Sequence, residues 1–242
     1  MIQAFMILSE RCSGSHFVQY ALTENFKIEY LTRHHKRRHF FGHEDDVPSY
    51  TDEEKRTTLM VCVVRDPVEW VDSFFKRKHH VPPENKYDID RFLKSEWYSI
   101  YEEGEKNGTE IMEDRDISMN VNSNTKKRYR NLLALRETKH DYFLRLESSR
   151  SPFPHVLVLR YEDLRDHYEA TLDLIGERFQ LSRKNNEKYN KYKKIDRYKG
   201  TYTALYQKKP ILLSDEIQAY IRAHVNLEQE QRLGYCVEVE IP

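Results

Sequence analysis

Three short runs of the chain are continuously apolar and rich in β-branched residues: Ala4–Leu8, Leu59–Val64 and His155–Leu159. Each gives way at once to polar residues and then to apolar positions at helical spacing, the pattern of a βα unit. Lys27–Leu31 is a weaker fourth candidate. Unbroken apolar runs, as opposed to alternating ones, mark strands covered on both faces. The pattern therefore predicts an α/β fold, an open, mostly parallel sheet flanked by helices. In such sheets ligands sit beyond the carboxyl ends of the strands, so the loops after the three strong runs are where chemistry is expected.

Between the second and third strong runs the pattern changes. Asp88–Glu103 carries a helical stripe (Ile89, Phe92, Leu93, Trp97, Ile100), Glu105–Asn124 reads as an exposed polar loop, and Thr125–Leu146 reads as helix again. With no strand pattern among them, these form a helical insertion, about residues 82–150, within a single domain spanning 1–242. Tyr168–Leu181 and Pro210–Val225 predict two further helices, Arg183–Lys209 is dense in Lys and Tyr, and Cys236–Ile241 suggests an edge strand.

Composition narrows the partners. Forty Lys and Arg balance 40 Asp and Glu over 242 residues, which argues against nucleic acid or an anionic membrane as partner. Aromatic residues make up 12%, too many for a disordered chain. The three cysteines, Cys12, Cys62 and Cys236, are too far apart to form a local zinc motif. No apolar run approaches the ~20 residues of a membrane span. No signal-peptide pattern opens the chain, and the expected location is cytoplasmic.

After the first strand comes Ser9-Glu10-Arg11-Cys12-Ser13-Gly14-Ser15-His16-Phe17 and a helical run. A small-residue turn feeding a helix start presents unpaired N–H groups and the positive end of the helix dipole, which suits a phosphate or sulfate. The same residues also make an ordinary capped turn. The Walker spacing, with its Lys before Ser or Thr, is absent. After the second strong strand, Asp66, Pro67 and Glu69 read as N-cap, first-turn proline and capping-box partner of a helix. Arg65 and Ser73 are left over. Ser73 lies two helical turns past the cap, so Arg65 and Ser73 can meet on one face as a clamp for a second anion.

Three segments in register resemble the sulfotransferases that use 3′-phosphoadenosine-5′-phosphosulfate (PAPS): Arg11-Cys12-Ser13-Gly14-Ser15-His16-Phe17, Arg65-Asp66-Pro67 with Ser73, and Tyr161-Glu162-Asp163-Leu164. The resemblance covers about residues 1–181. It implies a P-loop NTPase-like fold of sulfotransferase type and an enzyme that carries a sulfuryl group from PAPS to an acceptor hydroxyl, releasing adenosine 3′,5′-bisphosphate. It implies that Arg11, Cys12, Ser13, Gly14, Ser15 and His16 hold the 5′-phosphosulfate and that Phe17 lies against adenine. It implies further that Arg65 and Ser73 bind the 3′-phosphate and that Tyr161 approaches the nucleoside. Cys12 stands where many members have Lys; either Arg11, one residue earlier, reaches the bridging oxygen of the transferring group or another base substitutes. Arg197-Tyr198-Lys199-Gly200 is the counterpart of a late Arg-Lys-Gly contact to the 3′-phosphate, with Lys199 as the candidate.

The run His34-His35-Lys36-Arg37-Arg38-His39-Phe40-Phe41-Gly42-His43 offers imidazoles at helical spacing, as a zinc site would, but without nearby acidic or Cys ligands and with Gly42 breaking the helix. The family instead has a Lys and His in the loop after the second strand, which Arg38 and His39 resemble. That implies His39 as general base for the acceptor hydroxyl and Arg38 as stabiliser of the leaving phosphate, with no metal required. Exposed Tyr, His and Arg suit a polar, stackable acceptor such as a sugar. Two other readings remain open: a P-loop kinase using MgATP, and a nucleotide-binding module of the same fold without turnover.

Overall fold

Strands β1 (Ala4–Ser9), β2 (Glu29–Tyr30), β3 (Thr58–Val64) and β4 (Val156–Arg160) pair in the order β2-β1-β3-β4, every pair parallel. The register sets Ile7 beside Val61 and Val61 beside Leu157. These relations come from a computed structural model that describes residues 1–32, 38–39, 50–116, 127–148, 151–191, 195–197, 200–202 and 208–235. Strands β1, β3 and β4 coincide with the three apolar runs and the short β2 falls within the weaker candidate Lys27–Leu31; every residue of β3 is buried, which is why its sequence never alternates with polar residues.

Successive strand residues feed two different cores. Phe5, Ile7, Leu59, Val61, Val63 and Leu157 pack with Phe17, Val18 and Leu22 of α1 (Ser15–Asn25) and with Leu172 and Ile175. Met6, Leu8, Met60, Cys62 and Val64 face Phe143, Leu144 and Leu146 on the other side. The result is a three-layer α/β/α arrangement. After β1 the chain crosses to β2 on one side, and β3 then joins β1 on the other side. The carboxyl ends of β1 and β3 thus diverge at a topological switch point, where such sheets open a crevice.

The remaining helices are α2 (Asp52–Thr57), α3 (Pro67–Arg77), α4 (Ile89–Lys94), α5 (Leu132–Leu146), α6 (Tyr161–Asp166), α7 (Tyr168–Phe179), α8 (Asp215–His224) and α9 (Leu227–Arg232). A third core joins Trp70 and Phe74 of α3, Phe92 of α4, Trp97, Leu132 and Leu135 of α5, and Ile221 of α8. This core docks the insertion against the sheet.

Several expectations need correction. The helix expected over Asp88–Glu103 ends at Lys94. Trp97 reaches the third core from extended chain and bridges Tyr129 through two backbone hydrogen bonds of 2.8 and 3.0 Å, while Ile100 bridges Glu110. Helix α5 starts only at Leu132, where the Asn131 side chain accepts from Ala134 N. Helix α9 and the short antiparallel pair β5 (Ile195–Arg197) and β6 (Gly200–Tyr202) were not anticipated. The capping box on α3 is incomplete. Asp66 does accept from Val68 N and Glu69 N, but Glu162 takes the Asp66 N–H, and Glu69 turns toward two arginines instead. The edge strand expected at Cys236–Ile241 lies outside the described residues. Among the described residues no helix is long and apolar enough to cross a membrane.

Candidate functional site

The turn after β1 is tight because Cys12 (φ 66°) and Gly14 (φ 96°) both adopt positive φ. The Glu10 carbonyl accepts the Ser13 hydroxyl at 2.7 Å and the Ser13 N–H at 3.4 Å, closing the turn. Gly14 then serves as N-cap of α1, and its carbonyl accepts from Phe17 and Val18. Ser15 and His16 are the first two helical residues, whose amides have no intrahelical carbonyl to bond and therefore face the positive end of the helix. A Cβ on Gly14 would fall 2.4 Å from Cδ2 of Tyr161. The aromatic ring thus lies directly on the turn.

Tyr161 opens α6 immediately after β4. The Arg65 guanidinium, at the end of β3, lies 4.5 Å from the centre of the same ring and donates from Nη1 to the Cys12 carbonyl at 3.0 Å. The loops after β1, β3 and β4 therefore meet at one place, and Cys12, Gly14, Arg65 and Tyr161 touch there. Arg65 Nη2 also pairs with Glu69 at 3.2 Å, and Arg165 approaches the same carboxylate oxygen at 2.7 Å. Ser73 is half-buried one helical turn beyond Glu69, so Arg65, Glu69 and Ser73 form one stripe at steps of four residues.

Other anticipated residues sit differently. Phe17 is buried in the first core, edge-on to Tyr161 and stacked on Tyr168 at 5.9 Å. An adenine ring would have to displace those neighbours to reach it. Arg11 turns inward, donating to the His79 carbonyl and Ser99 Oγ and pairing with Asp114 at 3.4 Å. The expectation that its charge reaches the transferring group is thus revised: Arg11 anchors the insertion. Arg38 is buried, bonded to Tyr30 and Gln19, with one N–H 3.4 Å from Ser15 Oγ. His16 and Cys12 are half-buried. Lys199, His34, His35 and His43 lie outside the described residues, and Arg197 stands on β5. Among the described residues no group of three or more His, Cys, Asp or Glu could hold a metal ion.

His39 stands beside the end of β1. Ser9 N donates to the Arg38 carbonyl at 2.9 Å, extending the pairing of β1, and His39 Nδ1 lies 3.1 Å from both the carbonyl and the hydroxyl oxygen of Ser9. A carbonyl can only accept, so Nδ1 carries the proton and Nε2 is the basic nitrogen. Burial, reinforced by the Arg38 charge, holds this imidazole well below its ordinary pKa. It is neutral at pH 7.

Behind the turn lies a charge network that the sequence did not announce. Glu10, Arg136, His140 and Glu230 are all at most 1% exposed. Arg136 donates to both carboxylates and, through Nη2, to the Arg65 carbonyl at 2.8 Å, while His140 Nε2 lies 2.9 Å from Glu10. Burial alone would raise the Glu10 pKa, but His140 and Arg136 outweigh it and hold the carboxyl below its usual range. Trp70 Nε1 donates to the Arg11 carbonyl at 2.8 Å, and the Arg136 guanidinium lies 5.2 Å from its ring centre.

No family model matches the chain, and no curated protein or solved structure is significantly similar to it. The reading of the site rests on its own residues.

Proposed function

We propose that the chain is a sulfotransferase that moves a sulfuryl group from PAPS to an acceptor hydroxyl. The observation that carries this reading is the convergence of three loops: the first-turn amides of α1, the Arg65 guanidinium and the Tyr161 ring surround one spot at the switch point of a parallel sheet. The residues fit a donor with two anionic ends. Gly14, Ser15 and the amides of the α1 start would hold the 5′ end, where the helix dipole and the close backbone approach at Gly14 favour an anion; Ser13, buried with its hydroxyl and N–H both given to the Glu10 carbonyl, closes the turn instead. Arg65 and Ser73 would hold the 3′-phosphate. Arg65 Nε is buried without a hydrogen-bond partner, a donor that an arriving phosphate oxygen could satisfy. When bound, PAPS supplies a sulfuryl group already activated on a phosphate leaving group.

His39 Nε2 takes the acceptor's proton. A neutral imidazole can do so without first losing a proton of its own, and a placed general base is worth roughly 100- to 10,000-fold in rate. Arg38 acts through the Ser15 hydroxyl it approaches, and the acceptor class the surrounding residues suit is a polar hydroxyl compound such as a carbohydrate.

Thermal shift tests the donor. Adenosine 3′,5′-bisphosphate at about 100 times its dissociation constant would add about 2.7 kcal/mol of stability, or roughly 5–10 °C for a chain of this size. Stabilisation by MgATP in its place would make the chain a kinase and sink the reading. Arg65→Ala is expected to weaken adenosine 3′,5′-bisphosphate far more than 5′-AMP. A screen of sugars and phenols with labelled PAPS tests the transfer, and His39→Ala is expected to keep nucleotide binding while losing turnover. Binding without any transfer would leave a nucleotide-binding module.

A further inference from the structure

Helix α5 presents Arg136, Lys139 and His140 at a three- and four-residue spacing, on one face, and all three are buried. Between them they reach both halves of the site. Arg136 and His140 hold Glu10 behind the anion turn, and Arg136 also holds the Arg65 carbonyl. Lys139 Nζ donates to the His39 carbonyl at 2.5 Å and pairs with Asp114 Oδ1 at 2.6 Å. Asp114 in turn meets Arg11. The chain of contacts Arg11, Asp114, Lys139, His39 thus runs from the anion turn through the insertion to the imidazole.

We propose that Lys139 is a positioning residue for the base: by holding the His39 carbonyl it fixes where the imidazole stands relative to the turn after β1. This rests on the reading of His39 as general base. Stability alone gives little reason to keep an ammonium there, because removing a charge from water costs several kcal/mol and an apolar side chain of similar volume commonly packs as well. What an ammonium supplies and an apolar chain cannot is a directed hydrogen bond to one carbonyl, braced from behind by a carboxylate. Arg136 does the same for Arg65, so one helix sets the distance between the two halves of the site. Its proximity adds a second effect. Among the described residues, the charges of Arg38, Arg11 and Lys139 each disfavour the imidazolium, and the Asp114 carboxylate stands behind the last two.

The test uses the full chain with Lys139→Met and Lys139→Arg. The readouts are the His39 imidazole followed by NMR through a pH titration (assigned against His39→Ala), thermal shift with adenosine 3′,5′-bisphosphate, and sulfate release from labelled PAPS with water as acceptor. Lys139→Met is expected to keep the nucleotide shift and to lose sulfate release by roughly 100-fold, the cost of an ångström-scale misplacement. It is also expected to move the His39 titration, and with it the acid limb of the rate profile, to higher pH. Lys139→Arg is expected to restore most of the rate. An unchanged His39 titration together with an unchanged rate in Lys139→Met would overturn the proposal. If Lys139→Met does not fold, Asp114→Asn, which removes the brace and keeps the ammonium, carries the same measurements: loss of rate with nucleotide binding intact supports the proposal, and full rate overturns it. If adenosine 3′,5′-bisphosphate does not stabilise the native protein, the sulfotransferase reading falls. The His39 titration then tests the Lys139 contact alone: a shift in Lys139→Met supports it and an unmoved titration overturns it.

Discussion

Replacing Gly14 with Ala puts a methyl group into the most crowded corner of the site. Two separate costs arise. At φ 96° an L-residue is strained by about 1–3 kcal/mol. The new Cβ also lies 2.4 Å from Tyr161 Cδ2 and 2.9 Å from Cε2, about 1.1 and 0.6 Å inside the short end of ordinary carbon–carbon contact at about 3.5–4.0 Å. Relieving that by shifting a buried ring resembles overpacking, which costs about 1–3 kcal/mol. Their sum, about 2–6 kcal/mol, is a large share of the ~5–15 kcal/mol that holds a typical domain. Gly108 separates the two costs: its φ is 79°, but nothing lies within 4 Å of a Cβ there, so Gly108→Ala pays strain alone. Urea unfolding of both variants, with the slope m checked for constancy, is expected to show Gly14→Ala the less stable by at least ~1 kcal/mol. Tyr161→Ala is expected to recover part of the Gly14→Ala loss in a double-mutant cycle. Equal losses at Gly14 and Gly108, or additive behaviour with Tyr161→Ala, would refute the packing of the ring on the turn.

Two further outcomes follow from the buried charges. Arg136→Met leaves Glu10 and Glu230 without their shared guanidinium and is expected to cost about 3–5 kcal/mol in urea unfolding; a loss below ~1 kcal/mol would mean that water already reaches the network. The Glu10 pKa is depressed in the fold, so the folded state binds fewer protons than the unfolded chain. Its contribution is full above the ordinary value of 4.5 and is lost as pH falls through the lower folded value. Glu162, raised by burial, works in the opposite sense. Unfolding free energies measured from neutral pH down to about pH 3 are expected to fall more steeply in the native protein than in Arg136→Met.

The sheet was readable because its signal is local. Runs such as Leu59–Val64 state their burial outright, and Asp66 followed by Pro67 marks the start of α3 within the span of one turn. The meeting of Arg65 with Cys12 and Tyr161 was anticipated only as far as motif order allowed, since parallel pairing alone brings those loops to one edge. What could not be read was the buried charge. Arg136, Lys139 and His140 look like the solvated side of a helix, and their partners Glu10 and Glu230 lie 126 and 94 residues from Arg136. Charge is buried by tertiary placement, which leaves no periodicity behind. One local trace existed: Leu132, Leu133 and Leu135 beside Phe143, Leu144 and Leu146 put apolar residues all round α5, the mark of a helix enclosed on every side. The same limit explains Glu69. Its spacing fits a capping box, yet Arg65 and Arg165 offer a stronger partner than a backbone N–H.

The hydrogen bond from Trp70 to the Arg11 carbonyl has an optical consequence. The chain holds two tryptophans; one is tethered to the anion turn itself, and the other, Trp97, has the Arg11 guanidinium 5.9 Å from its ring centre. Indole emission responds to nearby charge and to changes in its hydrogen bond, so both chromophores watch the same few residues. The unlabelled polypeptide therefore carries its own fluorescent gauge of events at the turn, and a nucleotide titration can be followed by eye of a spectrometer alone.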